Sequence, residues 1–300
     1  MSTNCLVTKL KGTVDNANLL KMGEIRFGVE GTAAITIRAI SGKSVVATII
    51  EGTGTFNATH TNTVTLTDST TEASITASTP CIISINDKYS IETLAVNNGQ
   101  IDYNDASTLE YCHNLKSIIG FSFNSTDFMT FKNKANATSI RFNAKNPFNI
   151  NNITGYNSLK TLITPNAVDG NINTINLNFP IIKNLGLGGV LTGDASTFAT
   201  SVESPILAST EASIQNTNIT WSTTRPNTAP FLELIYINLG DDLDAMLINQ
   251  ANLTYSGSDA TGWSRGLSVY GNLGSSQEVT DAIAAIKAKG LPVHINGRAY

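Results

Sequence analysis

Catalysis and metal binding need side chains that converge, and this chain scatters them. The histidines His60, His113 and His294 form no H-E-x-x-H pair and have no cysteine partner at zinc-finger spacing. Cys5, Cys81 and Cys112 are odd in number and far apart, which predicts buried or idle thiols and no disulfide framework. Cys112 and His113 are adjacent, but a thiolate nucleophile needs a base aimed at it, so they read as chance neighbours at a repeat edge. Gly186-Leu187-Gly188-Gly189-Val190-Leu191 begins like a dinucleotide-binding turn, yet Leu191 stands at the third glycine position. It reads as a turn that needs close backbone approach. Asp241, Asp242 and Asp244 lack an EF-hand frame, because Leu247 fills the glycine position counted from Asp242. A solvated loop is expected there, with a weak divalent site as the minority reading. Glycoside hydrolysis would need two carboxylates facing across a cleft; Asp102, Asp105, Asp127, Asp169 and Asp194 are available, with no motif to pair them. No catalytic, cofactor-binding or metal-ligating residue is assigned. For ligand contact the candidates are Trp221 and Trp263, whose indoles could stack on a sugar ring if exposed.

The elements that must position any site are mostly strands. Charged residues make up 14% of the chain, against about a quarter in ordinary globular domains, and Asn, Thr, Ser and Gly fill the difference. Such a composition suits solvent-facing strands and their turns. A net charge of −4 and a sequence pI near 5.4 provide no field that draws the chain to nucleic acid. Met1 to Leu10 carries no apolar signal core, and Val45 to Ile50, the most apolar run, is too short to cross a bilayer. Neither a secretory signal nor a membrane partner is expected.

Four regions are expected. Residues 1–20 form an arm. Residues 21–87 alternate through short segments such as Glu24 to Val29, Ala34 to Arg38 and Cys81 to Ile85, which predicts a β-sandwich-like module. Over residues 88–240 a unit of the form apolar-x-x-apolar-x-apolar recurs. Its central positions Leu94, Ile118, Ile140, Leu162 and Leu185 are 24, 22, 22 and 23 residues apart. Each such turn leaves its edge bare until the next stacks on it, with Asn side chains satisfying backbone groups at the turns. The next clear copy, centred on Ile235, is 50 residues on, so a degenerate turn around Ser213-Ile214 or an insertion is expected between. Residues 241–300 hold further copies at Leu267 and Val293, and the one strong helix. That helix starts at Ser275-Ser276-Gln277-Glu278, puts Val279, Ile283 and Ile286 on one face, and stops at Gly290. The fold class is thus mainly β with minor α: a sandwich-like module, then a leucine-rich-repeat-like β-solenoid with a C-terminal helix cap.

Asn114-Leu115-Lys116-Ser117-Ile118 and Ser158-Leu159-Lys160-Thr161-Leu162 resemble the irregular leucine-rich repeats of bacterial surface and phage proteins. Cys5 to Val14, followed by Leu19 to Phe27, resembles the N-terminal segment of virion proteins of crAss-like and related Bacteroides phages. These resemblances imply a non-enzymatic, capsid-attached head fibre or decoration protein, made in the host cytoplasm and carried in the virion. Its anchor would be Leu6, Val7, Lys9, Leu10, Lys11 and Val14. Its partners would be a capsid protein and further copies of itself, as a homodimer or homotrimer. The rival readings are a host-receptor or glycan-binding tail protein, with a host-surface glycan as partner, and a glycan depolymerase.

Overall fold

The computed structural model describes residues 23–57, 61–97, 104–144, 149, 153–164, 168–174, 179–209, 217–255 and 266–300. The protein is mainly β, with strands in a mixed parallel and antiparallel arrangement. Its described residues divide into two compact units, one running to Asn143 and including Ile153–Leu159, the other covering Lys160–Tyr300. The anchor residues Leu6 to Val14, Trp263 and the Ser213-Ile214 turn all lie outside the described residues.

The first unit contains β1 (Ile25–Ala39), β2 (Ser44–Glu51), β3 (Gly54–Phe56), β4 (Thr63–Thr67), β5 (Glu72–Ile85), β6 (Ile91–Asn97), β7 (Ser117–Phe123) and β8 (Ser139–Ala144). Its strand order is β8-β7-β6-β1-β5-β2-β4, with β3 also on β5. The 15-residue β1 carries the unit: it pairs antiparallel with β5 through Ile25↔Ile85 to Thr36↔Glu72, and with β6 through Ala34↔Asn97 to Ala39↔Ile91. The boundary expected at residue 87 thus falls between strands that are hydrogen-bonded to one common neighbour. From β6 onward the pairing turns parallel, Leu94 facing Ile118 in register. A short helix, α1 (Ser125–Thr130), starts at a capping box between Asn124 and Asp127. It lays Phe128 against Phe123, Phe142 and Tyr156, with ring centroids 4.7, 4.8 and 5.4 Å away. Phe121, Phe123, Phe128 and Phe131 are all buried, so these rings belong to the core.

The second unit contains β9 (Thr161–Thr164), β10 (Gly170–Asn171), β11 (Asn184–Gly188), β12 (Leu191–Asp194), β13 (Ser204–Ala208), β14 (Asn218–Thr220), β15 (Glu233–Gly240), β16 (Leu267–Gly271), β17 (Val293–Ile295) and β18 (Arg298–Ala299). Strands β9, β11, β13, β15, β16 and β17 follow one another in parallel, and β10, β12 and β14 form a second parallel ladder. Leu162 faces Leu185, Leu187 faces Leu207, Leu207 faces Leu234, Leu234 faces Leu267, and Leu267 faces Val293. Between Leu185 and Ile235 the main ladder continues through β13, where Pro205 faces Leu185.

Two further differences have physical causes. Ile235, expected as a centre, does not face Leu267; Leu234 does, and its row leads back through Leu207 to Leu187 and not to Leu185. Tyr236 adopts φ +56° at a β-bulge that restores Ile237 and Leu239 to the core side. Asp241, Asp242 and Asp244 do not form a solvated loop: the first two lead into α2 (Leu243–Ala251), and Asp244 lies in its first turn. The later helix, α3 (Gln277–Ala288), begins where expected, with Ser276 Oγ accepting from Val279 N at 3.2 Å and Val279, Ile283 and Ile286 buried. No helix among the described residues is long and apolar enough to cross a membrane.

Candidate functional site

The faces of β9, β11 and β13 are poor candidates for ligand contact in the second unit. All of β9 and β13 and most of β11 are buried residue by residue. Opposite the leucines that face the core, Ile163, Gly186, Ile206 and Ala208 are enclosed as well. Parallel strands covered on both faces read as continuous apolar runs, and these do.

The polar side chains of this unit are spent on stapling one turn to the next. Asp169 Oδ1 accepts Val190 N at 2.8 Å, Asn173 Oδ1 accepts Asp194 N at 2.7 Å, and Asp242 Oδ2 accepts Trp221 N at 2.8 Å. Asp244 accepts Gly274 N, Asn272 donates to Asp241, and Asn296 exchanges two bonds with the Gly271 backbone. Asp194 is the hub: it accepts the backbone N–H and hydroxyl of Ser196, at 3.0 and 2.7 Å, and both groups of Ser222. Burial pulls its carboxyl upward, but the donors of Ser222 and Ser196 outweigh that and hold it below its ordinary value. A depressed carboxylate contributes stability above its unfolded pKa and loses it as pH falls through the folded one. Asp194→Asn is therefore expected to cost about 1 kcal/mol at pH 7, with the gap to wild type closing below about pH 4. Urea titrations at pH 7 and pH 3 measure it, and an equal gap at both would contradict it.

The carboxylates considered for hydrolysis are engaged in the same way. Asp105 caps a turn through Ser107 N, Asp127 accepts Asn124 N, and Asp169 and Asp194 hold neighbouring turns. Asp102 lies outside the described residues. Among the described residues no three His, Cys, Asp or Glu side chains gather in a metal-holding group. Trp221 does not serve as a sugar platform: it is 4% exposed, and its indole N–H donates to Asn249 Oδ1 at 3.2 Å. The same Asn249 clamps the backbone of Arg225, whose fully buried guanidinium donates to the carbonyls of Phe198, Ala199 and Pro230.

A different cluster lies at the turn edge of the first unit. Tyr89 precedes β6 and His113 precedes β7, 24 residues on, the same step that separates Leu94 from Ile118. Their rings stack at 5.9 Å and 9°, and Tyr111 meets His113 edge-on at 6.5 Å. Lys132 sits 5.4 Å over the Tyr111 ring and pairs with Glu110 at 3.7 Å. Tyr89 is 43% exposed and His113 is exposed. Lys88, whose Nζ lies 5.3 Å over the Tyr89 ring, and Cys112 are buried, whereas His113 is exposed, so Cys112 and His113 point apart and form no nucleophile-base pair. Burial drives the Cys112 thiol up to about 12, with the Lys88 charge pulling the other way, and burial lowers Lys88 in turn. Burial also raises Cys81, against a backbone hydrogen bond involving Thr53.

Because the thiolate is the reacting form, iodoacetamide at pH 8 is expected to label neither Cys81 nor Cys112 in the native protein. Both should react after denaturation. Peptide mapping by mass spectrometry decides it, and native labelling of Cys112 would contradict the burial. No family model matches this chain, and no curated protein or solved structure gives a match to it.

Proposed function

We propose that this chain is a non-enzymatic virion structural protein, a capsid-attached head fibre or decoration protein. In this reading residues 1–20 are the anchor and the following strands are a sandwich-like collar. The parallel strands form a leucine-rich-repeat-like solenoid capped by α3. The observation that carries it is the register of the repeat, Leu94 against Ile118 and Leu162 against Leu185 at a step of 22 to 24 residues. A solenoid whose turns are stapled by Asp and Asn side chains is a stiff spacer, suited to display and assembly. The resemblance of the first residues to phage virion proteins supplies the capsid as partner, and homodimers or homotrimers would give such a fibre its rigidity.

Co-sedimentation with capsids that lack the protein tests the reading. The full-length chain is expected to pellet with them, and a chain starting at Lys21 is not. If neither pellets, the capsid assignment fails. Sedimentation equilibrium of the free protein separates dimer from trimer, and a monomer would remove the oligomeric fibre.

A further inference from the structure

We propose that Asn296 is a modification site: it converts spontaneously to aspartate or isoaspartate when the terminal hairpin opens, and the conversion then hinders reclosure. Asn296-Gly297 is the two-residue turn between β17 and β18, with Ile295 paired to Arg298 and His294 to Ala299. Asn296 takes φ +51° and Gly297 φ +76°, the left-handed pair that such a turn demands and that Asn-Gly favours. The same dipeptide is open to attack by its own backbone, because glycine has no side chain to shield the nitrogen that follows the asparagine. In the reaction Gly297 N gives up its proton and attacks Asn296 Cγ. The Cγ–Nδ2 bond breaks, and the amide nitrogen leaves as ammonia. Water then opens the resulting succinimide. Cleavage of the new bond from Gly297 N to Cγ gives aspartate, and cleavage of the original bond from Gly297 N to the Asn296 carbonyl carbon gives isoaspartate.

The closed hairpin blocks this step and depends on the group that the step destroys. Asn296 Oδ1 accepts Gly271 N at 3.1 Å and Nδ2 donates to Gly271 O at 3.0 Å, which holds the carboxamide on β16. Asn296 N donates to Val269 O at 2.9 Å and Tyr300 N to Val293 O at 3.0 Å, so the backbone of the hairpin is fixed as well. Ring closure swings Cγ onto Gly297 N, and that movement breaks both bonds to Gly271. Asn296 and Gly297 are exposed, so water reaches the turn. After conversion to aspartate the side chain has no donor, and a carboxylate oxygen faces the Gly271 carbonyl. Isoaspartate adds a carbon to the main chain inside a two-residue turn, which spoils the pairing of β17 with β18. The chain has one other Asn-Gly pair, Asn98-Gly99, which lies outside the described residues. The site does not depend on the capsid reading, since no anchor residue takes part.

Peptide mapping by mass spectrometry of the full chain, aged at pH 8, tests the proposal. Asn296 should convert at least about 10-fold more slowly in the folded chain than in guanidinium chloride, because opening of the hairpin limits the rate. Tyr300→Pro removes the N–H that bonds Val293 O and should speed conversion in the folded chain about 5-fold, the worth of one backbone hydrogen bond. Tyr300→Ala keeps that N–H and should match the wild type. Asn296→Asp, which mimics the product, should raise amide hydrogen exchange across residues 293–300. Matching circular dichroism establishes that the variants are folded. The proposal is overturned if Asn296 does not convert in guanidinium chloride, or converts as fast when folded. It is also overturned if Tyr300→Pro leaves the rate unchanged, or if Asn296→Asp leaves the exchange unchanged. An equal gain in Tyr300→Ala would assign the effect to the lost ring and overturn the hairpin gate as well.

Discussion

Replacing Arg225 with alanine is expected to lower the stability of the second unit by about 3–5 kcal/mol. The guanidinium has no exposed surface, and its described partners are carbonyls: Phe198 at 2.5 Å, Pro230 at 3.0 Å and Ala199 at 3.4 Å. Burial lowers its pKa to about 10, which still leaves it charged at neutral pH. A buried cation costs solvation, and this one recovers the cost through charge-assisted bonds to backbone oxygens. Removing it strips donors from Phe198 and Pro230, at about 1–3 kcal/mol for each group left unsatisfied, and opens a cavity besides. Ala199 keeps a second donor in Val202 N. Arg225→Lys, with one compact ammonium for three carbonyls, should fall between. Both tryptophans follow Lys160 in sequence, so intrinsic fluorescence during urea unfolding reports this unit. A loss below about 1 kcal/mol would show that the carbonyls find other donors.

How much of this was legible depended on whether a residue acts within one strand-and-turn segment or between neighbouring segments. Leucines at a steady step predict register, because a parallel ladder preserves position from turn to turn, and Leu94, Ile118, Leu162 and Leu185 obey it. The α3 cap was legible at Ser276, whose hydroxyl acts within four residues. Helix α2 was not. Its buried positions include Asn249 and Gln250, which break the apolar periodicity because they serve the backbone of Arg225 and Leu232. Tyr236 was hidden for another reason: a bulge inserts one residue without altering the apolar pattern on either side. The Tyr89–His113 stack appears only when the 24-residue step is applied to the polar turn residues too. Trp221 was misread because a side chain's exposure depends on elements distant in sequence, here Asn249 on α2.

Gly189 tests whether the close-approach reading of the glycine-rich turn is energetic as well as geometric. Its backbone adopts φ +152°, and a Cβ there would collide with the Val168 carbonyl and sit 2.8 Å from Asp169 Oδ1. Both neighbours are fixed: Val168 N donates to Gly188 O at 3.0 Å, and Asp169 accepts Val190 N. Gly189 N itself donates to Ala208 O at 3.2 Å, so the residue is held from the next strand as well. With backbone on the colliding side there is no flexible side chain to yield. Gly189→Ala is therefore expected to cost about 3 kcal/mol or more. Gly290→Ala is the control. It has φ +81° at the end of α3 with open space around the site, so it should cost only the left-handed penalty of about 1 kcal/mol. Fluorescence-detected unfolding of the two variants compares strain alone with strain plus collision. A Gly189→Ala loss no greater than that of Gly290→Ala would mean that the turn relaxes at little cost, and that its glycines answer to conformation and not to the packing of neighbouring strands.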